Sequence, residues 1–245
     1  MTRKRVIFFI DEDLNGMKST LSPAGVIFDF DGVVVDSLSV HLKAWQIAFM
    51  ELFQEELTDT TGLAGRSTIA IADILVTRVG RPELKEQLAD LKREALRQNF
   101  QTIQLLPGIS ETFTWLKKNG LPFGIASNAP RSFIENTLER CGLSVEIKFG
   151  VDDVARPKPE PDVFLKCAKA LGVSVLSHPQ VMVFEDSPHG LRAAVRAGMY
   201  PIGVLTQNTA KEMLAAGAKA CCADVGEALL NGWFINLPGF STSQP

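Results

Sequence analysis

The feature that most restricts the fold of this chain is a set of short apolar runs, each about as long as one β-strand. The runs occupy residues 26–30, 122–126, 145–149, 181–184 and 201–205. They are continuous rather than alternating, which is typical of strands buried on both faces of a parallel sheet. Segments with helical periodicity, ending at Gly142, Gly172 and Gly198, separate most of these runs. We therefore predict an α/β fold built on a doubly wound parallel sheet.

One long segment interrupts this alternation. Between residues 37 and 105 apolar residues recur at helical spacing, and no run is typical of a strand. The simplest arrangement is a Rossmann-like core with an α-helical cap inserted after its first strand, where the cap would cover ligands bound at the carboxyl ends of the strands. We expect an N-terminal extension over 1–21, an α/β core over 22–37 and 106–236, the cap over 38–105, and a C-terminal tail over 237–245.

The composition narrows the kind of partner. A net charge of −3 provides no excess of positive charge for binding nucleic acid or anionic lipid. No apolar run approaches the ~20 residues that a membrane-spanning helix needs. The four cysteines form no C-x-x-C pair and there are only three histidines, so the spacing of a zinc site is missing. We expect a cytoplasmic monomer with reduced thiols that binds a small molecule, and neither nucleic acid nor a membrane.

Chemically active side chains follow the predicted strands. They lie in the segments Asp29-Phe30-Asp31-Gly32, Ser127-Asn128, Pro157-Lys158-Pro159 and Glu185-Asp186. Because the carboxyl ends of parallel strands lie at one edge of a sheet, we expect these groups to converge there. Gly32 would let the backbone approach a ligand closely, since it has no Cβ.

This set of groups suits a phosphorylated ligand. The carboxylates of Asp29 and Asp186 are ligands that a hard cation such as Mg²⁺ prefers. The cation, Lys158, the Ser127 hydroxyl and the amides of the Ser127-Asn128 loop would neutralise a phosphoryl group. One aspartate of the first segment can act as a nucleophile that forms an aspartyl-phosphate, and the second can act as general acid and then base.

Four stretches, DFDGVVVDS, ASN, RPKPEPD and FEDSPHG, resemble the four motifs of the haloacid dehalogenase superfamily and occur in the expected order. The helical insert after the first motif resembles the small cap of its β-phosphoglucomutase-like branch. The resemblance covers about residues 25–233. The dehalogenases of this superfamily lack the second aspartate of the first motif, so Asp31 favours phosphoryl transfer over dehalogenation.

The resemblance implies a role for each matching residue. Asp29 would accept the phosphoryl group, and Asp31 would be the general acid and base. Ser127 and Lys158 would hold the phosphate, with Asn128 beside them.

A Mg²⁺ cofactor is implied in the same way. Asp186 would bind it together with Asp29 and the backbone carbonyl of Asp31. Glu185 would be either a further ligand or a neighbour of the ligands.

Two residues of the cap are candidates for substrate contacts. His41 precedes an Ala-Trp pair, and β-phosphoglucomutases and some sugar phosphatases have a similar histidine that faces the active site. A packing role at the junction of cap and core is the alternative. In the segment GRST, residues 65–68, Thr68 stands where β-phosphoglucomutases have an arginine that grips a second phosphate. Arg66 is the basic residue of this segment and could compensate in part.

Two enzymatic functions remain, and a non-catalytic binding protein is disfavoured because Asp29 and Asp31 are both present. The first is a Mg²⁺-dependent phosphatase that hydrolyses a small phosphorylated metabolite, with a sugar phosphate as the expected substrate, through an aspartyl-phosphate. The alternative is a sugar phosphomutase of the β-phosphoglucomutase type. The context of His41 favours the mutase. Thr68 and the loop at 128–131 favour the phosphatase, which we rank first.

The N-terminus carries a second stretch that is similar to the first motif. In VIFFIDED, residues 6–13, an apolar run leads into an acidic pair, Asp11 and Asp13, much as the run of VIFDFDGV leads into Asp29 and Asp31. The earlier stretch has no further motifs to pair with, so we interpret its acidic pair as a turn after a short strand or arm. We expect a chain that begins at Met17 to fold and to keep its activity.

Overall fold

The computed structural model describes residues 8–9, 22–61, 63 and 66–236; the acidic pair Asp11 and Asp13 and the predicted C-terminal tail lie outside these ranges. Its strands are β1 (Phe8–Phe9), β2 (Gly25–Phe28), β3 (Val35–Asp36), β4 (Gln104–Leu105), β5 (Phe123–Ala126), β6 (Ile147–Phe149), β7 (Val181–Glu185), β8 (Tyr200–Val204) and β9 (Ala220–Cys222). Its α-helices are α1 (Leu38–Phe53), α2 (Thr68–Arg78), α3 (Lys85–Asn99), α4 (Ile109–Lys118), α5 (Arg131–Arg140), α6 (Asp162–Ala170), α7 (Pro188–Arg196), α8 (Ala210–Ala215) and α9 (Val225–Leu230).

The central sheet contains seven of the described strands, in the order β1-β9-β8-β7-β2-β5-β6. Neighbouring strands pair in parallel except for β1, which pairs antiparallel with β9. The chain leaves β2 toward β5 and β6 on one side and then returns to β7, β8 and β9 on the other. The predicted doubly wound parallel sheet is therefore confirmed. In such sheets ligands bind where the strand order reverses, which here is at the carboxyl end of β2.

Apolar layers on both faces of the sheet fix β2. On one face the ring of Phe28 lies 5.3 Å from that of Phe184 and 5.2 Å from that of Phe113, measured between centroids. On the other face Ile27 packs with residues of α6 and α7. Burying one side chain of this size stabilises the fold by about 1.5–3 kcal/mol. The carboxyl end of β2, where Asp29 begins the first motif, is thus held by a packed core.

The helices α1, α2 and α3 form a layer with a hydrophobic core of its own, to which Trp45, Phe49, Leu75 and Leu88 contribute. The two segments that connect this layer to the sheet, β3 and β4, pair antiparallel as a ribbon. The expectation that no strand lies between residues 37 and 105 is therefore wrong for β4. A two-residue strand is too short to leave a periodic signal in the sequence. The boundaries proposed for core and cap stay a prediction.

The cysteines and the helices bear on two expectations drawn from the composition, reduced thiols and the absence of a membrane-spanning helix. The four cysteines are free thiols, and three of them are buried. Among the residues described, no helix combines the length and the apolar character needed to cross a membrane.

The behaviour expected of a chain that begins at Met17 stays a prediction.

Candidate active site

The first motif forms a tight turn directly after β2. The backbone N–H of Asp29 still donates to the Phe184 carbonyl of β7, at 2.9 Å, before the chain turns. Gly32 has a φ of +78°, and a Cβ on it would lie 1.9 Å from Asp186 Oδ2. A residue with a side chain does not fit there, so glycine allows the turn to lie in contact with the Asp186 carboxylate.

Lys158 brings a buried positive charge to this turn. Its Nζ donates to Asp29 Oδ1 at 2.6 Å, to Glu185 Oε1 at 2.8 Å and to the Ala126 carbonyl at 2.9 Å. Burial by itself would lower the pKa of Lys158, but the charges of the two carboxylates outweigh burial and raise that pKa. Lys158 therefore stays protonated at neutral pH.

Ser127 and Asn128 follow β5, and Asn128 supports the turn that carries Lys158. Asn128 Oδ1 accepts from the Lys158 N–H at 3.0 Å, and Asn128 Nδ2 donates to the Lys158 carbonyl at 3.3 Å. Ser127 is buried, and its Oγ accepts from the Ala129 N–H at 3.1 Å. Asn128, predicted to contact the substrate, thus also has a structural task, because it fixes the backbone of Lys158.

Asp29, Glu185 and Asp186 form a cluster of buried carboxylates. One oxygen of each lies within 4.8 Å of the others. Burial, and next the charge of Glu185, raises the pKa of Asp29 to about 7, although Lys158 acts in the opposite direction. Burial, and then the charges of Glu185 and Asp29, raises the pKa of Asp186. Three carboxylates beside one lysine leave an excess of negative charge, and hard oxygen donors at this spacing fit a cation such as Mg²⁺.

Three consecutive residues after β8, none of them a predicted site residue, contact this cluster. Gln207 Nε2 donates to Asp186 Oδ2 at 2.6 Å, and Asn208 Nδ2 donates to the Asp186 carbonyl at 2.8 Å. Thr206 Oγ1 donates to the Gly32 carbonyl at 2.7 Å. Polar residues are common in loops that follow strands, so no sequence signal separates these three from ordinary surface residues.

Asp31 lies beside the carboxylate cluster, and its side chain contacts the start of α1. The Ser37 hydroxyl donates a hydrogen bond to Asp31 Oδ1, and His41 Nε2 lies 3.5 Å from the same oxygen. Burial would raise the pKa of Asp31, but His41, the hydrogen bond from Ser37 and the charge of Lys92 together outweigh burial and lower it. Asp31 is therefore ionised at neutral pH.

Lys92 of α3, which was not predicted as a site residue, continues these contacts into the cap. Its Nζ donates to His41 Nδ1 at 3.1 Å and lies 3.5 Å from Thr68 Oγ1. Burial lowers the pKa of Lys92 to about 8. Burial, and next the charge of Lys92, also lowers the pKa of His41, so the imidazole is neutral at neutral pH. Since Nδ1 accepts from Lys92, the single ring proton of His41 is on Nε2, which faces Asp31.

One cavity of about 870 Å³ lies between the cap helices and the carboxyl end of the sheet. Small-molecule sites have volumes of roughly 300–1,000 Å³. Every predicted site residue lines this cavity except Gly32, which lies against Asp186. Arg66 lines it from the cap, close to the start of α2. The structure therefore brings the predicted residues together, and it adds Lys92 and Gln207 to the lining.

The fold and the site define the class of this protein. It is a doubly wound α/β protein with a cluster of buried carboxylates and a buried lysine at the carboxyl end of its sheet. The chain belongs to the haloacid dehalogenase-like hydrolase family, whose model matches residues 26–204. The predicted membership of this superfamily, with its β-phosphoglucomutase-like relatives, is confirmed.

Individual relatives include both phosphatases and a mutase. The fructose-1-phosphate phosphatase YqaB of Escherichia coli (strain K12) is 31% identical over 74% of this chain and 96% of its own length. The β-phosphoglucomutase of Bacillus subtilis (strain 168) is 31% identical over 73% of this chain and 82% of its own. The crystal structure of a hydrolase from Pseudomonas syringae aligns with a TM-score of 0.75 and 26% identity, covering 84% of this chain and 96% of that one.

Proposed function

We propose that this protein is a Mg²⁺-dependent phosphatase that hydrolyses a small phosphorylated metabolite, with a sugar phosphate as the expected substrate, through an aspartyl-phosphate. The observation that carries the proposal is the pair formed by Asp29 and Asp31. Asp29 belongs to the buried carboxylate cluster and is held by Lys158, whereas Asp31 lies outside that cluster and contacts the cap. Two carboxylates in such different surroundings suit two different roles.

Each role follows from the contacts of the residue. A carboxylate oxygen of Asp29 would attack the phosphorus, and the bond from phosphorus to the ester oxygen would break. The negative charge of a bound phosphoryl group would raise the pKa of Asp31, so that Asp31 would take up a proton, donate it to that oxygen, and then take a proton from the water that hydrolyses the aspartyl-phosphate. The lowered pKa of Asp31 suits the second of these steps.

The remaining groups would neutralise charge on the phosphoryl group. Lys158 and the Ser127 hydroxyl would do so from the sheet side, as predicted for them. Asp29, Asp186 and the backbone carbonyl of Asp31 would hold Mg²⁺, with Glu185 as a further ligand or a neighbour. When bound, the cation would act as a Lewis acid toward the phosphoryl oxygens.

A sugar phosphomutase is the second candidate, and a relative with that activity and the position of His41 favour it. A mutase must also grip a second phosphate, and at the position of the family's arginine this chain has Thr68. Two arginines of α3 that line the cavity, Arg93 and Arg97, form ion pairs with Asp90 and Glu94 of the same helix. These exposed pairs only slightly reduce the positive charge that the two arginines offer to a second phosphate, so Thr68 is the observation that favours hydrolysis over isomerisation.

Paired assays test the proposal. Purified protein with Mg²⁺ is offered a panel of sugar phosphates that includes fructose 1-phosphate, and released phosphate is measured. In parallel it is offered β-glucose 1-phosphate with a trace of the 1,6-bisphosphate, and glucose 6-phosphate is measured. Isomerisation faster than hydrolysis would overturn the phosphatase in favour of the mutase.

The nucleophile is tested by Asp29→Asn, with Asp73→Asn at an exposed position of α2 as the matched control. We expect Asp29→Asn to lower kcat at least ~10³-fold, because an amide cannot form the aspartyl-phosphate. We expect Asp73→Asn to match the wild type. Full activity of Asp29→Asn would contradict the assignment.

A further inference from the structure

We propose that Thr206, Gln207 and Asn208, named here the 206–208 loop, position Asp186 for a divalent cation, with Gln207 as the decisive positioning residue. The inference rests on the proposed function, because it concerns the cation that the proposed phosphatase requires. It assigns a role to a loop that none of the four family motifs contains.

The loop engages one oxygen of the Asp186 carboxylate and leaves the other without a donor among the described residues. Gln207 Nε2 donates to Oδ2 at 2.6 Å, and Thr206 Oγ1 lies 3.5 Å from the same oxygen. Gly32 packs against Oδ2 so closely that a Cβ would lie 1.9 Å from it. Among the described residues, no hydrogen-bond donor contacts Oδ1. A carboxylate is planar, so contacts that fix Oδ2 also fix the direction of Oδ1.

Charge explains why this orientation needs support. One oxygen each of Asp29 and Glu185 lies within 4.8 Å of an oxygen of Asp186. Like charges at such distances repel one another, most strongly at buried positions. The N–H donor of Gln207 stabilises the negative charge of Asp186 and holds it against this repulsion. Removing a group that orients a metal ligand typically lowers metal affinity about 10–100-fold.

The side chain of Gln207 is not needed to hold the loop itself in place. The next helix, α8, is capped by Thr209, whose N–H and hydroxyl donate to Glu212 Oε2 at 2.8 and 2.7 Å. The two neighbours of Gln207 attach the loop to the site through backbone carbonyls, as described above. Gln207 is exposed and lines the cavity. Its replacement therefore changes the surroundings of a carboxylate rather than the fold.

Isothermal titration calorimetry with MgCl₂ alone, on the full chain, tests the proposal. Gln207→Met keeps the length of the side chain and removes the donor, and Gln46→Met at an exposed position of α1 is the matched control. We expect Gln207→Met to raise the Kd for Mg²⁺ about tenfold, and Gln46→Met to leave it unchanged. We expect the Tm of metal-free Gln207→Met to equal that of the wild type, and its kcat to return to the wild-type value at saturating Mg²⁺.

The possible results separate the proposal from its alternatives. An unchanged Kd overturns it, and so does a lower Kd, because the amide would then compete with the cation for Asp186. A kcat that stays low at saturating Mg²⁺ assigns Gln207 to the substrate and also overturns it. Absence of Mg²⁺ binding by the wild type sinks the proposed metal dependence. Equal binding by the wild type and Gln207→Met sinks only the positioning role.

Discussion

Two buried lysines reach the same cavity from opposite sides, and their surroundings differ. Lys158, beside the sheet, is 4% exposed, and Lys92, in the cap, is 2% exposed. Lys158 contacts two carboxylates, and its pKa is raised. Lys92 contacts an imidazole and a hydroxyl, and burial lowers its pKa to about 8. Similar burial thus accompanies a raised pKa in Lys158 and a lowered pKa in Lys92. The difference arises because only Lys158 is in contact with carboxylates.

The two lysines therefore differ in whether a carboxylate compensates their buried charge. Lys158 forms a closed network with Asp29 and Glu185, so in the protein without metal or ligand two carboxylates balance its charge. Lys92 forms no ion pair with a carboxylate in the described part of the chain. An anion that enters the cavity would supply the missing counter-charge, so we expect its binding to raise the pKa of Lys92.

The largest effect should come from Lys158→Met, which breaks the closed network. Asp29 and Glu185 would lose their buried counter-ion, so we expect the metal-free protein to lose about 3–5 kcal/mol of stability. We expect kcat to fall about 10²–10³-fold, since a group that stabilises the phosphoryl charge is lost. Urea denaturation and phosphate release measure the two effects, with the exposed Lys211→Met as control. Unchanged stability would show that Lys158 is not the counter-ion of this pair.

The second prediction is a gain of stability, where the first is a loss. In Lys92→Met the buried charge disappears, so we expect the variant to be more stable than the wild type at pH 7. The pKa of Lys92 falls from 10.5 to about 8 on folding, and this shift corresponds to roughly 3 kcal/mol. Between these two pH values the unfolded chain binds a proton that the folded protein does not. The wild type therefore gains stability as pH rises from 8 to 10.5, and the difference between the proteins should close over that window.

Chemical denaturation of Lys92→Met and of the exposed control Lys43→Met, repeated from pH 7 to 10.5, measures this difference. A Lys92→Met protein that is less stable than the wild type at pH 7 would contradict the comparison. It would mean that the contacts with His41 and Thr68 stabilise the charge more than burial destabilises it.

The smallest effect concerns protons and Mg²⁺. The pKa of Asp29 rises from 3.8 to about 7 in the metal-free protein, so this raised pKa favours the folded state below pH 3.8, and that stability is lost as pH rises through 7. Below pH 7 a cation must displace the proton of Asp29, so we expect Mg²⁺ affinity to rise about fivefold between pH 6 and 7 and about twofold more above pH 7.

Calorimetry in two buffers of different ionisation enthalpy measures the proton released on Mg²⁺ binding. We expect the pH dependence of Mg²⁺ affinity to shift to higher pH in Lys158→Met, because the lysine no longer lowers the pKa of Asp29. We expect it to stay in place in Lys92→Met. A shift in both variants would mean that the two lysines act on Asp29 alike.

Sequence reasoning reached one of the two lysines and missed the other for physical reasons. Lys158 follows a strand and lies between two prolines, and residues at strand ends converge in a doubly wound sheet. Lys92 lies in a charged helical segment, and its partner His41 is 51 positions away. Only the packing of α1 on α3 brings them together, and one sequence does not encode that packing in a local pattern.

Other residues of the site also show what a single sequence can and cannot predict. The carboxylates of the cluster were predictable because each follows a buried apolar run. Gln207 was not, since its task depends on the side-chain orientation of Asp186. Ser37 precedes α1, where a serine would ordinarily cap the helix, yet it caps nothing with its side chain and donates to Asp31 instead.

The ribbon of β3 and β4 has a mechanical consequence. Two separate linkers would let α1–α3 twist and slide independently of the sheet, whereas two paired strands resist sliding and allow mainly bending. The ribbon is joined to the first motif, because the Gly32 N–H donates to the Val35 carbonyl at 2.9 Å and the Leu106 N–H donates to the Val34 carbonyl at 3.0 Å. A tilt of α1–α3 would therefore move the ribbon and, with it, the turn that carries Asp31.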